Sequence, residues 1–208
     1  VVALITAVVL NREIVGRAFW RAVYFYPVML SPVVVAFLWT LILKRQGLLS
    51  QTLMEWNWID QPIQWLTDPS WTMFWSVFIY TWAHLGFYML ILLAGLQSIP
   101  KDLYEAAEMD GANAWHRFWH IIVPHLARPI TVVILIETIF LLGIFAEILV
   151  TTNGGPGNES TNITYLIYRL VRLGFDAGGG AAGGIIAVIL ANVVAIFMMR
   201  LIGKNLDH

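Results

Sequence analysis

Four long apolar stretches constrain the fold of this chain more than any other feature of its sequence. They cover residues 22–43, 71–96, 129–150 and 180–202. Each is long enough for a helix that crosses a hydrocarbon core about 30 Å thick, which takes roughly 20 residues. Only 12% of the residues are charged, about half of the roughly 25% found in soluble domains. The sequence therefore predicts an all-α, polytopic membrane protein and excludes a soluble cytosolic enzyme.

A fifth apolar stretch, Val1 to Leu10, is too short to span, because a helix of that length rises only about 15 Å. The sequence does not begin with Met, and Val1 lacks the basic flank of a signal peptide. We interpret this stretch as the end of a longer helix. The expected organisation is one transmembrane domain over residues 1–208 that is truncated at its N-terminus. It has about five spanning segments, counting this shortened helix as the first.

Lys and Arg near the helix ends predict the orientation, because these residues are enriched in cytoplasmic loops. If the connection between Leu10 and Val23 is cytoplasmic, the basic residues on the inner side are Arg12, Arg17, Arg21, Lys101, Arg117, Arg128, Arg200 and Lys204. Those on the outer side are then Lys44, Arg45, Arg169 and Arg172. The outer loop 44–70 carries Trp56, Trp58 and Trp65, with Trp71 after it. These indoles are expected at the headgroup boundary or on a docking surface.

Several functions are disfavoured by what the sequence lacks. A formal net charge of −1 gives no general attraction to nucleic acid, and without cysteine there is no thiolate zinc site. No glycine run continues into the Gly-Lys-Ser/Thr of a phosphate-binding loop. His116 and His120 are four residues apart, but no Glu follows His116 as in a metalloprotease. We therefore expect no metal site and no ATP site on this chain.

One polar insertion, residues 97–129, separates two of the apolar stretches. Pro100 suits the first turn of a helix. Gly111 is placed to end that helix in a left-handed conformation, and Asn113 to cap a second helix that Pro124 stops or kinks. The insertion is therefore predicted to form a helix, a tight turn and another helix. Trp115, Phe118, Trp119 and Ile122 form an aromatic stripe on the second helix, expected to pack on the chain itself.

This insertion resembles the EAA motif of permease subunits in binding-protein-dependent ABC importers. The matching residues are Glu105-Ala106-Ala107, Asp110-Gly111-Ala112, Ile121 and Pro124. The glycine lies six positions after the glutamate and the proline thirteen further. One departure is Val123, where the family more often has leucine. The resemblance covers nearly the whole chain, although the family usually has six spans and this sequence lacks the first and most of the second.

The resemblance implies that residues 97–129 are a cytoplasmic coupling loop seated in a cleft of an ATPase subunit. Glu105 would make a polar contact with the ATPase, Ala106 and Ala107 would allow close approach, and Gly111 would permit the turn. Asp110 and Ala112 complete the expected coupling set. The chain would bind no cofactor, since ATP would be held by the partner.

A second set of residues resembles the carbohydrate-importer permeases of the maltose and glycerol-phosphate branch. It comprises Thr151-Thr152-Asn153-Gly154-Gly155-Pro156, Thr161, Tyr165 and the glycine-rich start of the last helix. Residues 137–207, which close with Ile202-Gly203-Lys204-Asn205-Leu206-Asp207, resemble sorbitol and mannitol permeases. From the residues alone, Gly154 to Gly157 predict a turn outside the bilayer, and the small residues 179–184 predict close helix packing.

Ionisable and polar residues inside the apolar stretches are candidates for the solute path. Glu137 and Glu147 are costly in hydrocarbon, by about 2.5 to 3.5 kcal/mol at mid-span, so they should face protein or a wet cavity. Glu147 has the alternative of reaching the outer interface. Asn192 and His84 are further candidates, with a bond to a neighbouring helix as the alternative for each. Pro27 and Pro32 interrupt the first full span, either as a hinge or as ordinary tolerated prolines.

The resulting hypothesis is a non-enzymatic permease subunit in the bacterial inner membrane that imports a sugar or a sugar alcohol such as sorbitol or mannitol. The resemblance implies three partners: a cytoplasmic ATPase dimer, a second permease subunit, and a periplasmic or lipid-anchored solute-binding protein. The alternatives are a secondary transporter driven by an ion gradient, for which Glu137 and Glu147 would form a relay, and an intramembrane enzyme using the histidines.

Overall fold

The computed structural model describes the backbone of residues 1–206 and the side chains of residues 1–200, and this part contains helices but no strand. The helices are α1 (Val2–Asn11), α2 (Arg17–Phe25), α3 (Pro32–Leu43), α4 (Leu48–Glu55), α5 (Pro69–Gln97), α6 (Lys101–Met109), α7 (Ala114–Arg117), α8 (Val123–His125), α9 (Ala127–Leu142), α10 (Ala146–Thr151), α11 (Ile163–Tyr168) and α12 (Ala177–Leu206). A 3-10 turn, Tyr26–Met29, follows α2. The π-helical segments Phe118–Ile122 and Arg169–Leu173 follow α7 and α11. The expected all-α fold is confirmed.

Three helical segments of the described part are long and apolar enough to cross a membrane, and a fourth is added if one pair bent by 65° counts as a single span. The three are Pro32–Glu55, Pro69–Gln97 and Ala177–Arg200, and the bent pair is Ala114–His125 with Ala127–Leu142. The predicted spans 71–96 and 180–202 are therefore confirmed within the described residues. The resemblance to polyol permeases closes with Ile202 to Asp207, whose side chains lie outside the described part. One of these residues, Lys204, also belongs to the predicted inner basic set.

The predicted interruption of the stretch 22–43 at Pro27 and Pro32 is confirmed, because the chain leaves the α-helix between α2 and α3. Pro27 is buried in the 3-10 turn, and Pro32 occupies the first turn of α3, where its missing N–H costs no hydrogen bond. Ser31 takes the extended backbone expected before a proline. The two prolines thus separate two helices instead of bending one.

The stretch 129–150 was predicted to be one spanning helix, and this is wrong in its continuity, because three residues between α9 and α10 are not helical. Carbonyl groups freed by this break are satisfied by side chains from later in the chain. The Thr164 hydroxyl donates to the Leu142 carbonyl at 2.7 Å, and the Asn162 amide donates to the Ile144 carbonyl. Such polar partners allow a helix to break inside an apolar stretch.

The chain divides into two compact units, the first of which contains residues 1–28, residues 84–137 and the end of α12 from Phe197. Its apolar core is formed by α1, the C-terminal half of α5, and Leu126, which lies between α8 and α9. The buried residues are Ala7, Leu10, Met89, Leu92, Leu93, Leu96, Ile99 and Leu126. This core supports the polar insertion, because Tyr104 and Ile121 pack against it.

The second unit contains residues 29–83 and 138–196. Its buried core comprises Val35, Leu43, Trp65, Leu66, Ile79 and Ala83. Trp65 is 4% exposed, and its indole N–H donates to the Ser50 hydroxyl at 2.9 Å. The interfacial interpretation is therefore wrong for Trp65, which is a core residue with its polar edge satisfied. Trp56 and Trp58 are exposed, in agreement with that interpretation.

Candidate functional site

The predicted helix–turn–helix in residues 97–129 is confirmed, beginning with α6. Pro100 has extended backbone immediately before the first helical residue, Lys101. Asp102 lies in the first turn, where its negative charge complements the helix dipole. The N-terminal half of the insertion therefore begins where its sequence predicts.

The turn after α6 depends on Gly111, which has a φ of +72°. The Gly111 N–H donates to the Glu108 carbonyl at 3.0 Å, and the Ala112 N–H donates to the Ala107 carbonyl at 2.8 Å. Together these two bonds form a Schellman motif, which ends a helix at a left-handed residue. The role predicted for Gly111 is confirmed.

The second helix begins at the predicted cap, because the Asn113 side-chain oxygen accepts a hydrogen bond of 2.8 Å from the His116 N–H. Arg117 on this helix forms an ion pair with Glu108 on α6, across the turn. Pro124 does not stop the helix, which continues to His125; the 65° bend follows it, before Ala127. The ion pair and the caps make the two helices one compact element.

The surface of this element combines small, acidic and apolar residues. Glu105, Ala106, Asp110 and Gly111 are exposed, whereas Ala107 and Ala112 are half-buried. Met109 is 89% exposed beside them. An apolar residue left so exposed next to polar ones is typical of an interaction surface.

The expectation that the aromatic stripe packs on the chain itself is wrong for two of its members. Trp115 is 67% exposed and Trp119 is 48% exposed. Phe118 and Ile122 are half-buried, and Ile122 packs against the core of the first unit. Trp115 and Trp119 therefore form an exposed edge of the stripe, while Ile122 holds its other edge on the core.

Tyr104 fixes α6 to the core of the first unit. Its ring packs against that core, and its hydroxyl is buried without a hydrogen-bond partner among the described residues. Burial raises the pKa of Tyr104, and the positive charge of Arg117 acts in the opposite direction. The motif match did not point to this residue, although it lies immediately before Glu105.

Two of the candidates for the solute path lie in the first unit, His84 on α5 and Glu137 on α9, and both are half-buried. One carboxylate oxygen of Glu137, Oε2, is buried and has no hydrogen-bond partner within the described part of the chain. A buried polar oxygen without a partner is costly and requires an explanation. Glu137 is therefore able to accept a hydrogen bond from a group outside the described residues.

The other two candidates lie in the second unit. Glu147 is half-buried in the first turn of α10, and its carbonyl accepts a bond of 2.6 Å from the Thr151 hydroxyl. Asn192 is exposed on α12, and its amide donates to the Val188 carbonyl on the same helix at 2.8 Å. The observed bond of Asn192 is thus within its own helix, not to a neighbouring one.

The glycine-rich turn predicted after α10 is confirmed, with positive φ at Gly154 and Gly157. Tyr165, which is 1% exposed, holds this turn in place: its hydroxyl lies 2.8 Å from the Asn153 carbonyl and 2.7 Å from the Asn153 side-chain oxygen. The Thr161 hydroxyl also donates to the Gly154 carbonyl at 3.0 Å. The sequence marked Tyr165 as part of a motif but did not indicate that it anchors the loop.

The small residues at the start of α12 allow the close packing that was predicted. A Cβ atom added to Gly180 would lie 2.1 Å from Cγ2 of Val171, and one added to Gly183 would lie 2.9 Å from Cγ1 of Ile167. Gly184, by contrast, faces open space. The contact is thus made by two of the small residues.

The sequence did not predict a cavity of about 310 Å³ in the second unit. Its lining includes the cations Lys44 and Arg45, the amide of Gln64, and Thr151. These groups can donate hydrogen bonds to hydroxyl, carboxylate or phosphate oxygens. On the predicted topology this cavity lies at the outer side of the membrane.

Comparisons with known proteins agree with this arrangement. The chain is 36% identical over 200 residues to the trehalose/maltose transport system permease protein MalF of Thermococcus litoralis, and the match covers 93% of this chain and 65% of that protein. It superimposes with a TM-score of 0.87 and 26% identity on a chain of a bacterial ABC transporter involved in the import of alginate, covering 98% of this chain and 72% of that one. A structure of the alginate transporter in complex with an alginate pentasaccharide-bound periplasmic protein gives a TM-score of 0.84 and 27% identity, covering 95% and 69%.

The family comparison extends over the whole chain. The sequence model described as "Binding-protein-dependent transport system inner membrane component" matches residues 1–208. That description agrees with the predicted inner-membrane location and with the helices long enough to span. The chain belongs to this family of inner membrane components of binding-protein-dependent transport systems.

Proposed function

We propose that this chain is a permease subunit of a carbohydrate ABC importer, and that residues 97–129 couple it to a separate cytoplasmic ATPase. The observation that carries the proposal is the compact helix–turn–helix around Gly111, whose Glu105, Met109 and Trp115 are exposed. Family membership and the maltose and alginate names of the relatives support the transport class.

The exposed side chains suit a protein partner for physical reasons. The exposed Ala106 adds no bulk, so a partner surface can approach the backbone of α6 closely. The carboxylate of Glu105 can accept hydrogen bonds from a partner's Arg, Lys or backbone N–H groups. Met109 and Trp115 supply apolar area that gains free energy when it is covered. The coupling set would therefore be Glu105, Ala106, Ala107, Asp110, Gly111 and Ala112.

The mechanism proposed is alternating access. An ATPase dimer would move the coupling surfaces of this chain and of a second permease subunit, while a solute-binding protein, periplasmic or lipid-anchored, delivers solute at the outer side. The complex of the related alginate transporter with its periplasmic protein supports this last partner. Because a partner shifts an equilibrium only through different affinity for the two states, the surface around Gly111 must contact two ATPase states differently. ATP is used by the ATPase, and this chain holds no cofactor of its own.

The coupling role is tested by adding bulk at Gly111 in the assembled transporter. A Cβ on Gly111 meets no atom within 4 Å in the described part of the chain, so Gly111→Trp obstructs a partner more than it disturbs the chain. Gly157 also has positive φ and open space, so Gly157→Trp adds equal bulk in the outer loop. Gly111→Ala reproduces the backbone strain without the bulk. We expect only Gly111→Trp to uncouple ATP hydrolysis from solute uptake in proteoliposomes; normal transport by this variant would refute the role.

The finer proposal for the solute is a sugar alcohol such as sorbitol or mannitol. It depends on the resemblance of residues 137–207 to polyol permeases, whereas the relatives reported above are named for trehalose, maltose and alginate. The unpartnered oxygen of Glu137 suits a polyhydroxylated solute, because a carboxylate orients hydroxyl protons. An uptake screen of polyols, hexoses and oligosaccharides in the reconstituted complex tests this. Uptake of maltose-type sugars with no uptake of polyols would contradict the finer proposal alone.

A second candidate function is a secondary transporter, favoured by the same buried oxygen of Glu137, since an unpartnered carboxylate can carry a proton. This alternative requires that uptake follows an imposed ion gradient and survives inactivation of the ATPase. Uptake that stops when ATP hydrolysis is blocked would exclude it.

A further inference from the structure

The short helix α2 has an uncovered apolar side. Phe19 is 64% exposed, Trp20 46% and Val23 44%. At about 100° per residue, these three side chains lie within roughly 100° of one another around the helix axis. Arg17 and Arg21 lie on a different side, so the helix is amphipathic. An amphipathic helix with basic residues and an aromatic apolar side is typical of a membrane interface.

The opposite side of α2 is fixed to the first unit. The guanidinium of Arg21 donates to the Leu10 carbonyl at the end of α1, at 3.2 Å. The backbone of α2 also lies directly on α5, since a Cβ added to Gly86 would come within 2.2 Å of the Tyr24 carbonyl oxygen. The apolar side of α2 is therefore held facing away from the core of its unit.

An open cavity of about 380 Å³ lies between α1 and α2. Most of its lining is apolar, from Ile5, Val9, Leu10, Ile14, Trp20 and Tyr24. Because the cavity is open and mostly apolar, a hydrocarbon chain that fills it removes apolar surface from water. The cavity therefore suits a hydrocarbon chain.

Cations lie at both ends of the connection between α1 and α2, which contributes Ile14 to this cavity. Arg12 and Arg17 are both exposed. The connection is an ordered turn, in which the Ile14 N–H donates to the Arg12 carbonyl at 3.0 Å and the Arg17 N–H donates to the Ile14 carbonyl at 3.3 Å. Glu13 is the only acid among residues 1–28, against three arginines. The corner between α1 and α2 therefore combines positive charge with an apolar cavity.

We propose that this corner binds an anionic glycerophospholipid. One acyl chain occupies the cavity between α1 and α2, and the phosphate contacts Arg12 and Arg17. Phe19, Trp20 and Val23 lie at the boundary between headgroups and acyl chains. This site differs in position and ligand from the coupling surface around Gly111, and it holds whether or not that surface meets an ATPase.

Binding is tested by native mass spectrometry of the assembled transporter, titrated with phosphatidylglycerol or phosphatidylcholine. Each cation near an anionic lipid surface contributes about fivefold in affinity. We expect the wild type to prefer phosphatidylglycerol, Arg17→Gln to reduce that preference about fivefold, and Arg12→Gln with Arg17→Gln to reduce it roughly 30-fold. Arg172→Gln, which removes an exposed arginine from the second unit, is the matched control and should leave the preference unchanged. Equal binding of the two lipids, or an unchanged preference in the double variant, would overturn the proposal.

The occupant is identified with a photocrosslinking residue in nanodiscs that contain equal amounts of the two lipids. Trp20→p-benzoylphenylalanine should form adducts enriched in phosphatidylglycerol. The control is Ile186→p-benzoylphenylalanine on α12, which is 59% exposed in the wild type and should report the bulk lipid ratio. A protein adduct at position 20, with the second permease subunit for example, would show that another subunit covers this side of α2 and would overturn the lipid assignment.

Discussion

The backbone N–H of Ala112 donates to the carbonyl oxygen of Ala107 at 2.8 Å, across the left-handed residue Gly111. This single bond places the start of the second helix against the end of α6. The ion pair between Glu108 and Arg117 spans the same turn. The orientation of the exposed surface therefore depends on one backbone conformation, which glycine adopts without strain.

The first prediction concerns that conformation. Gly111→Ala should destabilise the protein by about 1 to 2 kcal/mol, because a left-handed conformation costs an L-residue that much. No steric cost is added, since the new Cβ meets no described atom within 4 Å. Gly111→Asn should cost less, because Asn tolerates this region better. Thermal unfolding of the detergent-solubilised protein measures the order; equal stability of Gly111→Ala and wild type would contradict the role of the turn.

The second prediction concerns the contact between α2 and α5. Gly86→Ala should destabilise the protein by more than about 2 kcal/mol, because its Cβ would lie 2.2 Å from the Tyr24 carbonyl oxygen and 2.6 Å from the Phe25 Cα. Both neighbours are backbone atoms, so no side chain can move aside. Gly184→Ala on α12 is the control, since its Cβ enters open space and alanine favours a helix. The yield of folded protein and its melting temperature should fall for the first variant only.

Features that depend on neighbouring residues were predictable from the sequence. Gly111 and Asn113 act through bonds between residues at most five positions apart, so their roles follow from residue type and spacing. The same holds for Pro27 and Pro32, whose residue type predicts the interruption between α2 and α3. Local chemistry thus predicts the ends of the helices at these positions.

Features that depend on distant residues were not predictable. The break after Leu142 is stabilised by Thr164, which lies 22 positions later in the chain. Trp65 is buried because Ser50, 15 positions earlier, satisfies its N–H. An unbroken apolar run carries no sign of either contact, since periodicity reports burial and length but not which remote side chain supplies a hydrogen bond.

The third prediction concerns the anchor of the outer loop. Tyr165→Phe should destabilise the protein by about 0.5 to 1.5 kcal/mol, because it removes the hydrogen bonding between the Tyr165 hydroxyl and the exposed Asn153. Tyr26→Phe, which removes a hydroxyl from a ring that is 62% exposed, should have little effect. Thermal unfolding of the two variants in parallel checks this, and equal melting temperatures would contradict the anchoring role.

The fourth prediction concerns Tyr104, whose buried hydroxyl lacks a partner among the described residues. Tyr104→Phe should keep or increase stability, by up to about 1 kcal/mol, because no hydrogen bond is lost. Burial raises the pKa of Tyr104 above its ordinary value of 10.0, so its unfolded form loses the proton first as the pH rises. The preference of the folded state for the protonated hydroxyl therefore contributes fully to the free energy of unfolding below about pH 10, and this contribution declines at higher pH. As the pH rises above about 10, wild-type stability should fall more steeply than that of Tyr104→Phe; parallel slopes would contradict the assignment.

The last prediction concerns Glu137, the candidate for the solute path whose oxygen Oε2 is buried without a partner in the described structure. A hydrogen bond to a charged group contributes about 1.5 to 3 kcal/mol, so loss of a carboxylate that binds solute hydroxyls should raise KM for uptake at least about tenfold. We expect this change in Glu137→Leu and a smaller one in Glu137→Gln, whose amide oxygen still accepts a hydrogen bond. Assembly with the ATPase, measured by copurification, should be unaffected because the coupling surface is intact. Unchanged uptake kinetics in Glu137→Leu would remove this residue from the solute path.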